Sequence, residues 1–298
     1  MRNCILDGDK VMVLPLLDSF NSCDSWFFLL CLVAAMLVNV TSVAAAEPTP
    51  AQKLVQSNRL LVIAHRGNSS VAPENTLPAF QAALDAKADL VELDYYHSAD
   101  GQLVVIHDEI LDRTTDAEVV FGKTGLVVGG LPLVELQKLD AGSWFDDKFV
   151  NTRLPTLVQA LDLIQSASVT LIERKGGDAA ALVRLLEEKK LIEKVVVQAF
   201  DWKFVAECRR LSPTLALGTL SGKPANEEQI RAAAATGADL IVWDNEKIGR
   251  AQIDLIHQLG KKAWAYTVDK PERASALIAA GIDGIITNKP AEIGQLRK

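Results

Sequence analysis

The chain has 298 residues, 49% of them apolar, and a formal net charge of −7 at pH 7. This length and apolar content are enough for one large domain or two small ones. The acidic balance and the lack of a basic tract argue against nucleic acid as a partner.

Residues 1–46 have the pattern of a targeting segment. An apolar core at 25–38 is followed by the small residues 43–46, which resemble a cleavage site. The core is shorter than the roughly 20 residues that a membrane-spanning helix needs. We expect cleavage near Ala46, which leaves a domain of residues 47–298 in a secreted or periplasmic protein. Retention of the segment as a membrane anchor is the alternative.

Strand-like apolar runs alternate with helical patterns from about residue 60 onward. The candidate strands are residues 60–64, 90–94, 169–173, 194–199, 214–219, 239–242, 262–268 and 284–287. Eight strand–helix units in about 250 residues predict an α/β fold of the (β/α)8 TIM-barrel type. A doubly wound open sheet would need a reversal of strand order, and no feature of the sequence suggests one.

Residues 112–153 interrupt this alternation. The stretch is rich in glycine and has no clear strand–helix unit, and its aromatic residues are Phe121, Trp144, Phe145 and Phe149. We interpret it as a small insertion after the second strand region. It could cover the mouth of the barrel and shape a substrate site, or it could pack as a surface excursion.

Carboxylates collect where predicted strands end. Glu92 and Asp94 are two residues apart on one strand, so their side chains point to the same face. Glu173 ends the next barrel strand. Three carboxylates at the mouth of a barrel would form an oxygen site that suits Ca²⁺ or Mg²⁺. The alternative is a set of ordinary ion-paired or solvated carboxylates, with Glu173 in a surface pair with Lys175.

Two histidines and two cations accompany these carboxylates. His65 and His107 each follow a short apolar run, where an imidazole can exchange a proton with a reacting group. Arg66 and Lys175 would lie beside the metal site. Cations are useful there if an anion also binds, and a phosphate is the most economical anion.

Two further residue pairs are candidates for supporting roles. Glu74 and Asn75 either orient the residues of the site or cap a helix that begins beside Pro73. Trp264 and Tyr266 are two residues apart on one strand, so they would form an aromatic wall of the substrate pocket.

Eight short motifs occur in order along the chain. They are His65-Arg66-Gly67, Pro73-Glu74-Asn75-Thr76, Glu92-x-Asp94, Asp100-Gly101, Leu103-Val104-Val105-x-His107-Asp108, Glu173-x-Lys175, Gln198-x-Phe200 and Thr287-x-x-Pro290. Together they resemble the glycerophosphodiester phosphodiesterase family over about residues 60–290. The resemblance implies a barrel that hydrolyses glycerophosphodiesters to glycerol 3-phosphate and an alcohol with the help of a metal ion.

The resemblance also implies roles for the polar residues, by matching position. His65 and His107 would be the acid–base pair, Glu92, Asp94 and Glu173 the metal ligands, and Arg66 and Lys175 the phosphate contacts. A small phosphodiester is then the expected partner. No stable protein partner is implied, and contact with a lipid surface stays open.

The chain departs from the family pattern at three positions, one of which is Ala199 in place of a frequent Ser. Asn288 stands where the family usually has Asp, and Tyr266 stands where Trp is common. Two other functions stay open. One is a lysophospholipid phosphodiesterase, which would need an apolar groove at the mouth. The other is a catalytically idle barrel that binds phosphodiesters, although such a barrel would need no acid–base pair.

Overall fold

The computed structural model describes residues 47–297, and the predicted leader, residues 1–46, lies outside them. Within the described part, no helix is both long and apolar enough to cross a bilayer. The strands are β1 (Leu61–Ala64), β2 (Leu90–His97), β3 (Leu103–Val105), β4 (Val169–Arg174), β5 (Val195–Ala199), β6 (Ala216–Ser221), β7 (Leu240–Asp244), β8 (Lys262–Tyr266) and β9 (Gly284–Thr287). The α-helices are α1 (Pro50–Val55), α2 (Leu77–Asp85), α3 (Ala117–Phe121), α4 (Leu133–Leu136), α5 (Leu157–Ile164), α6 (Ala179–Glu188), α7 (Trp202–Leu211), α8 (Glu227–Ala235), α9 (Arg250–Gln258), α10 (Pro271–Ala279) and α11 (Pro290–Gly294).

Eight parallel strands form a closed barrel. Consecutive strands pair from β4 through β9, β4 also pairs with β2, and β1 pairs with both β9 and β2. The remaining strand, β3, pairs antiparallel with the end of β2 and stands outside the barrel. The predicted (β/α)8 barrel is therefore confirmed. β2 is longer than predicted because Tyr95, Tyr96 and His97 pair with β3.

Both faces of the barrel strands are buried. On β7, Leu240 and Val242 belong to the apolar interior, whereas Ile241 and Trp243 pack beneath the outer helices. Strands that are buried on both faces appear in a sequence as continuous apolar runs, so these strands could be predicted from the sequence. Ala51 of α1 joins the interior cluster and closes the end of the barrel where the strands begin.

The segment between β3 and α5 contains the predicted insertion and packs around its own apolar core. It holds α3, α4 and three short 3-10 turns. The core residues are Val104, Ile106, Leu111, Ala117, Val128, Leu136, Leu139, Ala141 and Leu154. Trp144, Phe145 and Phe149 pack edge to face on one another. The insertion is thus a packed unit, and its first turn also reaches the mouth of the barrel through Arg113, as described below.

The helix after β1 begins later than expected. It starts at Leu77, and the Thr76 side chain caps it. The expectation that a helix starts beside Pro73 is wrong, because the chain is still in a loop at Asn75, whose φ is 58°. Neither Glu74 nor Asn75 is a helix cap, and both side chains instead point to the site.

Candidate active site

The candidate site lies where the barrel strands end. Glu92 and Asp94 are on β2, and Glu173 on β4 is in register with Asp94. His65 directly follows β1, and Lys175 directly follows β4. Because the carboxyl ends of barrel strands meet at one mouth, the five residues predicted from separate segments come together there.

A left-handed turn after β1 carries Arg66 over the carboxylates. Arg66 and Gly67 have φ values of 57° and 82°. The Arg66 backbone N–H donates to Glu92 Oε2 at 2.6 Å, and Arg66 Nε is 3.4 Å from Asp94 Oδ2. A Cβ on residue 67 would come within 2.6 Å of the Ala79 carbonyl carbon. Glycine is therefore required at 67 both for its φ and for this close approach.

The three carboxylates form one buried cluster. Glu92 and Asp94 are fully buried and Glu173 is 6% exposed. One oxygen from each lies within 4.8 Å of the others. The Lys175 ammonium is 3.2 Å from Asp94 Oδ1 and also contacts Glu173 Oε1. The alternative of a surface Glu173–Lys175 pair is therefore wrong.

Burial and mutual repulsion set the protonation of this cluster. Burial, reinforced by Asp94 and Glu173, raises the pKa of Glu92 well above its usual value. Burial and Asp94 raise the pKa of Glu173 to about 7. Burial alone would raise the pKa of Asp94 too, but the Lys175 and Arg66 cations outweigh it and hold this pKa below its usual value. Without a further cation, the cluster retains protons at pH values where ordinary carboxylates have lost them.

The residues present fit a divalent cation. Three ionised carboxylates face two cations, Arg66 and Lys175, which leaves one negative charge uncompensated. In addition, the buried Glu92 Oε1 atom has no hydrogen-bonding partner among the residues that the structure describes. Addition of a divalent cation would bring the net charge of these groups to +1, which matches the single negative charge of a phosphodiester. Carboxylate oxygens are the ligands that Ca²⁺ and Mg²⁺ prefer.

His65 is held by a neutral amide. Its Nδ1 atom is 2.7 Å from Asn288 Oδ1. Burial, together with the neighbouring Arg66 cation, lowers the pKa of His65 to about 4. Sequence reasoning treated Asn288 only as a departure from a family pattern, and the contact with His65 shows that this position belongs to the site.

His107 is held by a carboxylate. Its Nδ1 atom is 2.6 Å from Asp108 Oδ1. Burial lowers the pKa of His107, whereas Asp94 and Asp108 act to raise it. Hydrogen bonds from Arg113 and from His107 lower the pKa of Asp108 to about 2, so Asp108 is ionised at neutral pH.

A chain of ion pairs connects the insertion to both ends of the site. Arg113, in the first turn of the insertion, contacts Asp108 through Nε and donates to both oxygens of Glu74. Glu74 in turn accepts from Arg66 at 2.8 Å. Sequence reasoning missed Arg113, because no motif or spacing distinguishes it from other arginines. Glu74 is thereby placed as a support for Arg66.

Asn75 fixes the central carboxylate. Its side-chain amide donates to Asp94 Oδ2 at 2.8 Å, and its Oδ1 accepts from the Asp94 backbone N–H at 3.1 Å. Both groups are buried. This reciprocal pair orients Asp94 without adding charge to the cluster.

Only one of the two aromatic residues predicted as a pocket wall has surface at the mouth. Trp264 is fully buried in the barrel interior, where its ring packs on Gly284, so the expectation of a wall there is wrong. Tyr266 is half-buried and makes an edge-to-face contact with Phe200 at 5.9 Å between ring centroids. Phe200 is 50% exposed. The aromatic surface at the mouth is therefore formed by Tyr266 and Phe200.

Comparison with known proteins agrees with this geometry. The model of the glycerophosphoryl diester phosphodiesterase family matches residues 65–292, from the first histidine to α11. The chain belongs to this family. As a member of the glycerophosphoryl diester phosphodiesterase family, it is a phosphoric diester hydrolase.

The chain aligns with nearly the whole length of its relatives in the phosphodiesterase family. A glycerophosphodiester phosphodiesterase of Caldanaerobacter subterraneus subsp. tengcongensis is 35% identical over 239 residues, which cover 78% of this chain and 95% of that protein. One of Bacillus subtilis is 30% identical over 285 residues, with coverage of 87% and 92%. The structure of an Oleispira antarctica phosphodiesterase in complex with the product sn-glycerol-3-phosphate has 28% identity and a TM-score of 0.71, and the match covers 79% of this chain and 95% of that one.

Proposed function

We propose that this protein hydrolyses glycerophosphodiesters to sn-glycerol 3-phosphate and an alcohol. The observation that carries the proposal is one buried cluster of three carboxylates, flanked by two cations and two histidines, at the mouth of a barrel of this family. The Oleispira antarctica neighbour, which binds sn-glycerol-3-phosphate, supports the same product for this chain.

Glu92, Asp94 and Glu173 would hold a divalent cation, Ca²⁺ or Mg²⁺. When bound, such an ion supplies positive charge that polarises the phosphoryl oxygens. Asn75 holds Asp94 in the orientation that leaves Asp94 Oδ1 facing into the cluster.

Arg66 and Lys175 would bind the phosphate. Both lie at the edge of the carboxylate cluster, with side chains 16% and 14% exposed, so they face the mouth and are largely shielded from water. Cationic donors in a partly dry site stabilise the negative charge that develops at phosphorus. Glu74 fixes Arg66 by accepting a hydrogen bond from its guanidinium.

The two histidines would divide the proton transfers. His65, next to a neutral amide, is kept uncharged and takes the proton of the attacking hydroxyl group. His107, next to the ionised Asp108, holds a proton more readily than His65 does. It delivers this proton to the departing alkoxide as the phosphorus–oxygen bond to the alcohol breaks. A new phosphorus–oxygen bond forms to the nucleophile in the same displacement. Attack by water gives glycerol 3-phosphate directly, and attack by the neighbouring glycerol hydroxyl gives a cyclic phosphate that water then opens.

A direct test is the release of glycerol 3-phosphate from glycerophosphocholine. The full-length protein would be stripped with a chelator and then assayed with Ca²⁺ or Mg²⁺ added back separately, with His65→Ala as the blank. We expect release that depends on the cation and is absent from the variant. Thermal stabilisation by a cation without turnover of any phosphodiester would contradict the proposal and favour a binding function.

A second candidate substrate class is a lysophospholipid. The segment between β3 and α5 exposes apolar side chains that a water-soluble substrate does not require: Val119 is 84% exposed, Ile110 48% and Val120 42%. Exposed valines grouped on one short segment favour contact with acyl chains or a lipid surface. Comparison of lysophosphatidylcholine with glycerophosphocholine, in the wild type and in Val119→Asp, tests this. Release of choline from lysophosphatidylcholine that Val119→Asp lowers would support the lipid substrate.

We also propose that residues 1–46 direct the protein out of the cytoplasm. The support is the apolar core at 25–38 and the small residues before Glu47. N-terminal sequencing of the mature protein tests cleavage near Ala46. Recovery of an uncut chain in the membrane fraction would favour the alternative of a membrane anchor.

A further inference from the structure

Asn288 and Asp269 form a hydrogen-bonded pair of side chains behind His65. Asn288 Oδ1 lies 2.7 Å from His65 Nδ1, and the Asn288 amide donates through Nδ2 to Asp269 Oδ2 at 2.6 Å. The other Asp269 oxygen, Oδ1, accepts from the Asn288 backbone N–H at 2.8 Å and from the Thr287 hydroxyl at 3.0 Å.

These contacts determine which way the Asn288 amide points. A carboxylate has no hydrogen to donate, so the group that faces Asp269 Oδ2 must be the amide NH₂ of Asn288. The reverse orientation would place two oxygens against each other at this short distance. The Asn288 oxygen therefore faces His65, where it also lies 2.8 Å from the Ser69 hydroxyl.

The direction of the amide then determines the histidine tautomer. An amide oxygen accepts hydrogen bonds and does not donate them, so His65 Nδ1 must carry a proton. The lone pair of the neutral ring is consequently on Nε2. This is the less populated tautomer of a neutral histidine side chain free in water, so the protein must impose it.

We propose that Asp269 and Asn288 are positioning residues that hold His65 in its Nδ1–H tautomer and so leave Nε2 as the proton acceptor. The catalytic meaning of this arrangement rests on the proposed function, in which His65 is the base. The tautomer itself is a property of the folded protein and can be measured without turnover.

A substitution at position 269 should reverse the orientation of the Asn288 amide, and a second substitution at position 288 should compensate for it. In Asp269→Asn, the new amide oxygen must still accept from the Asn288 backbone N–H and from the Thr287 hydroxyl. Its NH₂ group then faces the side chain of residue 288, which has to turn its oxygen toward it. Asn288 would present NH₂ to His65 and favour the opposite tautomer. Adding Asn288→Asp restores an acceptor beside His65, and the same carboxylate also accepts from the amide introduced at position 269.

The experiment is ¹⁵N NMR of the histidine side chains of the full-length protein, with two-bond proton correlations at a pH well above the imidazole pKa values. His65→Gln assigns the His65 signals. We expect a protonated Nδ1 in the wild type, a protonated Nε2 in Asp269→Asn, and a protonated Nδ1 again in the double variant. Glu272→Gln, which removes an exposed negative charge nearby, serves as the control and should leave the pattern unchanged.

Kinetics provide the second readout. Asp269→Asn should lower kcat by roughly 100-fold or more, since a wrong histidine tautomer costs about 10⁴-fold in the Ser-His-Asp triad. The double variant should recover to within about tenfold of the wild type. A protonated Nε2 in the wild type, or a tautomer that Asp269→Asn leaves unchanged, would overturn the inference. A wild type with the expected tautomer but no phosphodiesterase turnover would instead refute the proposed function.

Discussion

His65 and His107 have chemically different partners. An amide oxygen next to His65 offers no charge to stabilise an imidazolium, whereas the carboxylate of Asp108 next to His107 does. Identical side chains can therefore serve as base and acid in one site, because their neighbours separate their affinities for a proton.

Replacement of either histidine separates these roles. His65→Ala and His107→Ala should each lower kcat about 10²–10⁴-fold with glycerophosphocholine, the usual contribution of a general acid or base. A p-nitrophenyl phosphodiester has a leaving group that needs no proton. With this substrate, only His107→Ala should regain most of its activity. Steady-state kinetics on both substrates, with circular dichroism to confirm folding, test this. Recovery of His65→Ala instead would reverse the assignment.

The pH dependence of activity should reflect the low pKa of His65. A base must be deprotonated and an acid protonated, so kcat/KM rises with pH through the pKa of the base and falls again through the pKa of the acid, His107. Because burial and Arg66 lower the pKa of His65 to about 4, the rise should be complete below the usual histidine value of about 6.5. A bound cation would lower this pKa further. Measurement of kcat/KM against pH at saturating cation tests this, and an acidic limb centred near the usual value would contradict it.

The β1–α2 loop and the first turn of the insertion meet at Glu74. Arg66 approaches it from the loop, and Arg113 approaches it from the insertion while also contacting Asp108. Arg113 therefore connects the partner of His107 with the partner of Arg66. The loop that carries Glu74 and the loop that carries Asp108 therefore both contact one side chain, Arg113, from a segment outside the barrel.

Loss of Arg113 should affect catalysis more than folding. In Arg113→Ala, Asp108 and Glu74 lose a shared cation, so we expect kcat/KM to fall on the order of tenfold. Arg113→Lys should recover only part of this, because an ammonium cannot reproduce the fork of a guanidinium. Arg231→Ala, which removes an exposed pair on α8, is the matched control and should change neither activity nor stability appreciably. Equal effects of Arg113→Ala and Arg231→Ala on kcat/KM would show that the connection has no catalytic role.

The carboxylate cluster also influences the stability of the barrel as a whole. Buried like charges are tolerated only with a proton or a cation, and the strands that hold them, β2 and β4, are neighbours in the barrel. Stability of the metal-free protein should therefore depend on pH, and a bound cation should remove the part of this dependence that comes from the cluster.

For metal-free protein, the contribution of Glu173 should decrease with rising pH. Its pKa in the folded protein, about 7, exceeds its ordinary value of 4.5, so the folded state binds this proton more tightly than the unfolded state. The contribution is present below the ordinary pKa and is lost as the pH rises toward the folded one. Glu173→Gln should remove the loss, on the order of 1–3 kcal/mol. Denaturant unfolding of both proteins at several pH values isolates this effect from His65, which titrates in the opposite sense. Parallel pH profiles of the two proteins would contradict the prediction.

Addition of a divalent cation should stabilise the protein most at alkaline pH. There the carboxylates are free of protons, and the ion does not have to displace them. At a cation concentration of about 100 times Kd, we expect an increase of about 2.7 kcal/mol in the free energy of unfolding. Glu92→Gln should reduce this increase. Thermal unfolding with and without Ca²⁺ or Mg²⁺ measures it, and an equal gain for Glu92→Gln would exclude Glu92 as a ligand.

The barrel and the members of the carboxylate cluster could both be predicted from the amino-acid sequence. Strands buried on both faces leave continuous apolar runs, and a strand repeat of two places Glu92 and Asp94 on one face. These patterns depend only on residues that are close in the sequence, so they can be recognised without knowledge of the tertiary structure. The start of α2 was misplaced because Pro73 is a helix-start signal that the loop around Asn75 overrides.

The contacts between groups across the mouth could not be predicted from the sequence and required the folded barrel. Arg113 is separated from Glu74 by 39 residues and Asn288 from His65 by 223, and neither spacing has a periodic signature. The same holds for Trp264 and Tyr266, which share a strand face but differ in depth, so that only Tyr266 reaches the surface. Depth along a barrel strand and hydrogen-bond direction depend on closure of the whole sheet, and no segment of the chain encodes that closure alone.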